Sequence, residues 1–275
     1  MSKRVMLTVA YDGTQYHGWQ IQPNVSTIEG ILNRNLSEML GEPIEVIGAS
    51  RTDAGVHSLG NIAVFDTNAR IPAEKISYAL NQRLPEDIKI RKSEEVTADF
   101  HPRKVESRKT YEYRIWHDTF PMPTERLDSY FVYTPLNIEA MKKAARYLEG
   151  EHDFTSFCSV HTEVENKVRT IYKLEVLTEE QETGNQRRSR KMQAKDSVDN
   201  QQITGGMIRI RVTGNGFLYH MVRILAGTLL EVGKELYPPE HIEEILEAHD
   251  REAAGPTVPA HGLTMISYKQ MHFAY

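Results

Sequence analysis

Apolar and polar residues alternate in several short segments of the N-terminal third, and two further segments carry apolar residues three or four positions apart. Alternation favours half-buried strands, whereas the longer spacing favours amphipathic helices. The pattern predicts six elements in the order β-α-β-β-α-β, which are Val5–Tyr11, Ile28–Leu40, Ile44–Ile47, Asn61–Thr67, Pro72–Leu80 and Ile88–Val96. This order is typical of an α+β unit with an antiparallel or mixed sheet.

Local signals predict where these helices begin and end. Ser26 and Glu29 have the spacing of a capping box, in which the Ser26 hydroxyl accepts from a helix amide and Glu29 reaches back. Gly41 is placed to end the first helix, and Pro72 suits the first turn of the second.

A similar order of elements follows from about Val105 onwards. The pattern predicts four strands and three helices, at Lys109–Trp116, Ile138–Leu148, Thr170–Leu177, Met207–Val212, Phe217–Glu231, Pro239–Ala248 and Leu263–Tyr268. The recurrence is consistent with an internal duplication, so we expect one domain at 1–104 and a second at 105–275. Residues 179–206 are polar and nearly lack large apolar side chains, which predicts a mobile insertion.

Composition narrows the class of protein. The chain has 275 residues, 40% of them hydrophobic, which is enough for a sizeable core. No segment approaches the roughly 20 apolar residues of a membrane span, and the N-terminus lacks a signal-peptide pattern, so we expect a cytoplasmic protein. The single cysteine, Cys158, excludes an intrachain disulfide and a Cys-x-x-Cys zinc site.

The formal net charge of −5 argues at first against a nucleic-acid partner. Residues 234–252 carry seven acidic and two basic residues, so this one segment accounts for the whole net charge. We predict that it forms a single solvated acidic helix. Two other stretches, 101–114 and 207–223, are locally basic. Local basic surface is what phosphate contacts require.

The segment Ser50–His57 is the strongest candidate for chemistry, since it places an arginine, an aspartate, a glycine and a histidine between two strands. From spacing alone, Asp53 could be a catalyst or the cap of a turn, and His57 is most simply a structural residue. Asp12 and Asp53 could form a carboxylate pair, but spacing does not fix their distance. Neither metal-ligand spacing nor a phosphate-binding glycine loop is present.

Five motifs in order carry a resemblance to a known family. They are Tyr11–Gln20, Arg51–His57, Lys109–Tyr113, Gly150–Phe157 and Gly214–Arg223. Together they resemble the tRNA pseudouridine synthases of the TruA class over almost the whole chain. Two departures stand out: the family often has glycine directly before the arginine, where this chain has Ser50, and the insertion at 179–206 is long.

The resemblance implies a fold, a reaction and a set of site residues. The fold is α+β, a duplicated sheet with helices on one face and a central RNA-binding cleft. The reaction isomerises a flipped-out uridine to pseudouridine in the anticodon stem-loop of tRNA, with Asp53 as nucleophile. Sequence leaves open whether Asp53 attacks C1′ or removes a proton from C2′. It also leaves open whether Tyr111 is simply a core aromatic residue and Arg223 a solvated residue on a helix surface.

The same resemblance assigns the remaining site residues. Tyr111 stacks on the uracil, and Leu263 forms an apolar wall of the base pocket. Arg223 forms an ion pair with Asp53 or binds phosphate, whereas Arg51 fills the vacated base stack or contacts the RNA backbone. The candidates for further phosphate contacts are Arg103, Lys104, Arg108, Lys109 and Arg209.

The resemblance also implies partners and an alternative. We expect a homodimer that binds tRNA and uses no cofactor and no metal. The alternative is a catalytically silent tRNA-binding protein or RNA chaperone of the same fold, and only Asp53 separates the two hypotheses.

Overall fold

The computed structural model describes residues 2–178 and 205–271, which are assigned to two compact units. The first unit comprises 1–111, 213–216 and 263–275, and the second comprises 112–212 and 217–262. Most of the predicted insertion, 179–204, lies outside the described residues, and Gly206 already belongs to a strand. The predicted division into domains after residue 104 stays a prediction, because compactness does not test independent folding.

The first unit contains the predicted β-α-β-β-α-β order, followed by strands that return from later in the sequence. Its elements are β1 (Lys3–Tyr11), α1 (Ile28–Leu40), β2 (Ile47–Gly48), β3 (His57–Thr67), α2 (Ala73–Asn81), β4 (Ile88–Val96), the start of β5 (Ser107–His117) and β10 (Leu263–Gln270). The strands pair in the order β4-β1-β3-β10, with β2 beside β3. Pairing of β1 with β3 and β4 is antiparallel and that of β10 with β3 is parallel, so the sheet is mixed.

The alternation predicted for β1 places Val5, Leu7 and Val9 in the core, each with no exposed surface. The apolar faces of the two helices pack into the same core, through Leu32 and Leu36 of α1 and Ile76 and Leu80 of α2. Burial on this scale is the main stabilising term of such a unit. The rigid sheet then fixes the loops at its strand ends.

The second unit contains the rest of β5, then β6 (Tyr130–Val132), α3 (Ile138–Tyr147), β7 (Gly150–Asp153), β8 (Val168–Thr178), β9 (Gly206–Gly214), α4 (Met221–Gly233) and α5 (His241–Ala248). The strands follow the order β5-β9-β8-β7, with β6 parallel to β5 and β7 antiparallel to β8. Helix α4 is almost entirely buried, which fits its continuous apolar sequence. Both units therefore combine helices with a mixed sheet, and the predicted α+β class is confirmed.

Two predictions around α1 were wrong, and local hydrogen bonds explain both. Thr27, not Ser26, caps the helix by accepting from the Gly30 amide at 3.3 Å, because the Ser26 carbonyl is engaged by the preceding loop. The strand predicted from Ile44 begins only at Ile47. The Ile44 and Val46 amides donate instead to side chains of α1, so they are not free to form a ladder.

Two predictions in the second unit were also wrong. The helix predicted from Phe217 begins at Met221, since His220 takes a left-handed conformation with φ of 63° and ends any earlier helical path. The acidic segment 234–252 is not one helix. It contains one α-helix, His241–Ala248, with one face buried through Ile242 and Ile245, and the start of a short 3-10 helix, Arg251–Ala253.

Candidate active site

The loop between β2 and β3 forms the candidate site in the first unit. Thr52 and Val56 are buried, Arg51 is exposed, and Asp53 is half-buried. A turn at Ala54–Gly55 returns the chain to β3, with Gly55 at φ of 78°. The Asp53 carboxylate is thus partly shielded from water yet still reachable.

The start of this loop is held by the buried side chain of Asn61 on β3. Its amide oxygen accepts from the Ser50 N–H at 3.2 Å, and its amide nitrogen donates to the Ser50 carbonyl at 3.0 Å. One side chain therefore replaces two ladder hydrogen bonds after β2 ends. Sequence reasoning missed this role, although an asparagine opening the apolar run Ile62–Phe65 is a usable signal.

The loop after β1, which carries the first motif, fixes the middle of the Asp53 loop. The Trp19 amide donates to the Thr52 carbonyl at 3.0 Å, and the Tyr11 and Thr52 hydroxyls are 2.7 Å apart. Gly18 has φ of 83°, and a Cβ there would stand 2.6 Å from the Thr52 carbonyl oxygen. The first two motifs are therefore parts of one packed structure.

His57 connects the end of the Asp53 loop to the same neighbouring loop. Its Nδ1 lies 3.1 Å from the Gly13 amide nitrogen and 3.0 Å from an Asp12 carboxylate oxygen, so it accepts from Gly13 when unprotonated and donates to Asp12 when protonated. Burial raises the pKa of Asp12, but hydrogen bonds from Thr14 and the nearby His57 outweigh it, so the net pKa is lowered. The structural role expected for His57 is consistent with these contacts.

Tyr111 lies on β5 and is buried in the same unit as Asp53. Burial raises the pKa of its phenol to about 12, the Ser50 hydroxyl opposes this rise, and the charge of Asp53 adds to it. The tyrosine of the third motif and the aspartate of the second therefore lie close together. Spacing in the sequence, with Tyr111 far from the loop, could not place them so.

Leu263 and Arg223 were predicted from the resemblance and lie in different units. Leu263 is buried at the start of β10, and the next residue, Thr264, pairs with His57 at the end of the Asp53 loop. Arg223 lies in the first turn of α4, where its Nε donates to the Val258 carbonyl at 2.8 Å.

The predicted phosphate-binding residues divide into two groups. Arg103, Lys104 and Arg108 are exposed. Lys109 donates to the Ala49 carbonyl at 3.1 Å, directly before the Asp53 loop. Arg209 lies 3.7 Å from a Glu112 carboxylate oxygen, so a buried acid offsets part of the charge of the second basic stretch.

Sequence reasoning did not identify Glu112 as a charge partner, because it alternates with apolar residues on β5. Its carboxylate accepts from Arg211 at 2.6 Å and 3.0 Å, and its side chain is only 8% exposed.

Over the described ranges, no cluster of three or more His, Cys, Asp or Glu residues could hold a metal ion. No described helix is long and apolar enough to cross a membrane.

Comparison with known proteins identifies the family. A family model described as tRNA pseudouridine synthase matches residues 7–103 and 144–269. Relatives named tRNA pseudouridine synthase A include one from Ruminiclostridium cellulolyticum, 43% identical over 96% of this chain and 98% of its own. Others come from Brevibacillus brevis, 44% identical over 96% and 98%, and from Exiguobacterium sp., 41% identical over 98% and 99%. The chain belongs to the tRNA pseudouridine synthase family.

Proposed function

We propose that the protein isomerises uridine to pseudouridine in tRNA, with Asp53 as the catalytic nucleophile. The observation that carries this proposal is the proximity of a half-buried carboxylate, Asp53, to a buried tyrosine, Tyr111, within one unit. Family membership supplies the reaction. The anticodon stem-loop is the proposed target, the cytoplasm the proposed location and a homodimer the proposed assembly, all from the resemblance.

The reaction converts one isomer into another, so it consumes no co-reactant. In the nucleophilic route, Asp53 bonds to C1′ while the N1–C1′ bond breaks and its electron pair stays on uracil. The base turns, C5 bonds to C1′ as the carboxylate leaves, and the C5 proton is lost while N1 gains one. In the glycal route, Asp53 removes the C2′ proton as the base departs with the N1–C1′ electron pair, leaving a C1′=C2′ double bond. C5 then bonds to C1′ as C2′ regains the proton, and C5 loses its proton while N1 gains one. Both routes begin with the ionised carboxylate.

Tyr111 is proposed to stack on the flipped uracil, since aromatic rings hold unstacked bases and its phenol is near enough to Asp53 for that charge to raise its pKa. Leu263 is proposed as an apolar wall of the same pocket, supported by its position next to the residue that pairs with His57. Arg51 and Arg223 are proposed substrate-binding residues from their motif positions. The exposed Arg103, Lys104 and Arg108 are the best supported candidates for phosphate contacts.

The test is Asp53→Ala, assayed by release of tritium from tRNA labelled at uracil C5. We expect no pseudouridine formation, with tRNA affinity kept within about tenfold, or ~1.4 kcal/mol. Asp66→Ala is the matched control, because Asp66 is exposed and pairs with Arg4. It should keep wild-type activity. Full activity of Asp53→Ala would refute the mechanism.

The same assay separates the enzyme from a catalytically silent tRNA-binding protein. A silent protein would bind tRNA and release no tritium even as wild type. Activity in the wild type with binding retained in Asp53→Ala excludes that alternative.

A further inference from the structure

The Ser50 hydroxyl is a buried polar group without a hydrogen-bond partner among the described residues. Ser50 is only 5% exposed, and both of its main-chain polar groups are bound by Asn61. Buried hydroxyls are normally paired, because an unpaired one loses its hydrogen bonds to water without replacement. Within residues 2–178 and 205–271, the three other unpartnered atoms of this kind, on Arg114, Thr134 and Glu231, all lie in the second unit.

The unpaired hydroxyl lies near the Tyr111 phenol of the proposed site. It lies close enough to the Tyr111 phenol to influence its pKa, but their geometry is not that of a hydrogen bond. Asp53 acts on the same phenol and follows Ser50 by three residues. Because Asn61 binds both main-chain polar groups of Ser50, the backbone that carries the hydroxyl is fixed.

We propose that the Ser50 hydroxyl is a substrate-binding group that hydrogen-bonds the flipped uridine. This inference rests on the proposed function. A serine hydroxyl both donates and accepts, so it can satisfy a uracil carbonyl, the uracil N3–H or the ribose 2′-hydroxyl. In the complex, the substrate supplies the hydrogen-bond partner of this hydroxyl.

The test is Ser50→Ala, measured for kcat, KM and melting temperature. We expect kcat/KM to fall about tenfold, mainly through KM, because one neutral hydrogen bond to substrate is lost. The melting temperature should stay equal or rise, since an unpaired buried polar group is removed. A structural role for Ser50 predicts the opposite, a lower melting temperature.

Two control variants show how the loss of other buried hydroxyls affects activity and melting temperature. Thr134→Val removes another unpaired buried hydroxyl, outside the proposed site, and should change neither kcat/KM nor KM. Ser58→Ala removes a buried hydroxyl that accepts from the Gly60 and Asn61 amides, so it should lower the melting temperature. If Ser50→Ala behaves like either control, the proposal is overturned.

Modified stem-loop substrates identify the atom that Ser50 contacts. Target nucleotides carrying 2′-deoxyuridine, 2-thiouridine, 4-thiouridine or 3-methyluridine each alter one polar group. The ratio of wild-type to Ser50→Ala kcat/KM should drop to about one for the substrate that lacks the contacted group. A tenfold ratio with all four substrates would overturn direct contact. If the wild type forms no pseudouridine, the proposed function itself is refuted. If Ser50→Ala is as active as the wild type, only the proposed role of Ser50 is refuted.

Discussion

At the scale of single residues, the site combines a reachable carboxylate with polar groups that are shielded from water. Asp53 is half-buried, while Tyr111 and Thr52 beside it are buried. Interactions between charges and dipoles strengthen where water is excluded, so a carboxylate at this boundary can act on substrate within a partly desolvated pocket. Each neighbour of Asp53 therefore affects its chemistry more than an exposed residue would.

The buried phenol of Tyr111 predicts a dependence of stability on alkaline pH. Its folded pKa of about 12 is raised above the unfolded value of roughly 10, mainly by burial. The associated stability is fully present below pH ~10 and is lost as pH rises through the folded pKa. Tyr111→Phe has no phenol to titrate at this position. Between pH ~9 and ~12, its free energy of unfolding should therefore fall less than that of the wild type, by up to about 2–3 kcal/mol.

Urea denaturation at several pH values measures this difference. Tyr78→Phe is the control, because it removes a phenol that is 70% exposed, and it should lose stability with pH as the wild type does. Equal losses in Tyr111→Phe and wild type would mean that the phenol is not buried as described.

At the scale of elements, the Asp53 loop is shaped by its neighbour, the loop after β1. Main-chain hydrogen bonds link Trp19 to Thr52 and Gly55 to Tyr16, at 3.0 Å and 3.2 Å. Such contacts do not depend on side-chain rotamers, so they hold the catalytic loop with little conformational freedom. Preorganisation of this kind reduces the entropy lost when substrate binds.

Gly18→Ala should test the close approach of the two loops. The substitution places a Cβ 2.6 Å from the Thr52 carbonyl oxygen and adds strain at φ of 83°. We expect a loss of about 2–4 kcal/mol in the free energy of unfolding, together with reduced kcat.

Gly41→Ala is the matched control for that substitution. Gly41 ends α1 at φ of 71°, but nothing lies within 4 Å of its added Cβ. Only the conformational cost of about 1–2 kcal/mol should appear, with kcat unchanged. Similar losses for both variants would show that the contact with Thr52 carries no energy.

At the scale of the whole molecule, the net charge of −5 does not describe the surface that RNA would meet. Acidic residues are concentrated at 234–252, and Glu112 offsets Arg209 and Arg211. Arg103, Lys104 and Arg108 remain exposed beside the start of β5. A polyanion responds to such local charge rather than to the sum over the chain.

Replacing Arg103 and Lys104 together by Ala should weaken tRNA binding and flatten its dependence on salt. Each lost phosphate contact lowers the slope of log K against log salt by about 0.7–0.9. Filter binding between ~50 and ~200 mM salt measures the slope. Lys142 and Lys143, which form ion pairs with Glu139 and Glu240, provide a control pair of equal charge. An unchanged slope in the Arg103 and Lys104 variant would show that neither residue contacts phosphate.

Much of the fold was predictable because burial imposes a period on the sequence. The strands β1 and β4 and the helix α1 follow from alternation or helical spacing, and their observed bounds agree closely with the predicted ones. The errors arose where side chains compete with regular structure. Asn33 and Ser37 capture the amides before β2, and His220 adopts a left-handed turn that no periodicity reveals.

The sequence by itself determined the family, through five motifs in order, and singled out Asp53 as the residue on which the chemistry depends. Only the tertiary structure brought Tyr111 to that loop, gave Asn61 and Gly18 their parts in shaping it, and left the Ser50 hydroxyl without a partner. The physical reason is that a motif records residue types along the chain, whereas hydrogen-bond satisfaction depends on distances between segments far apart in sequence.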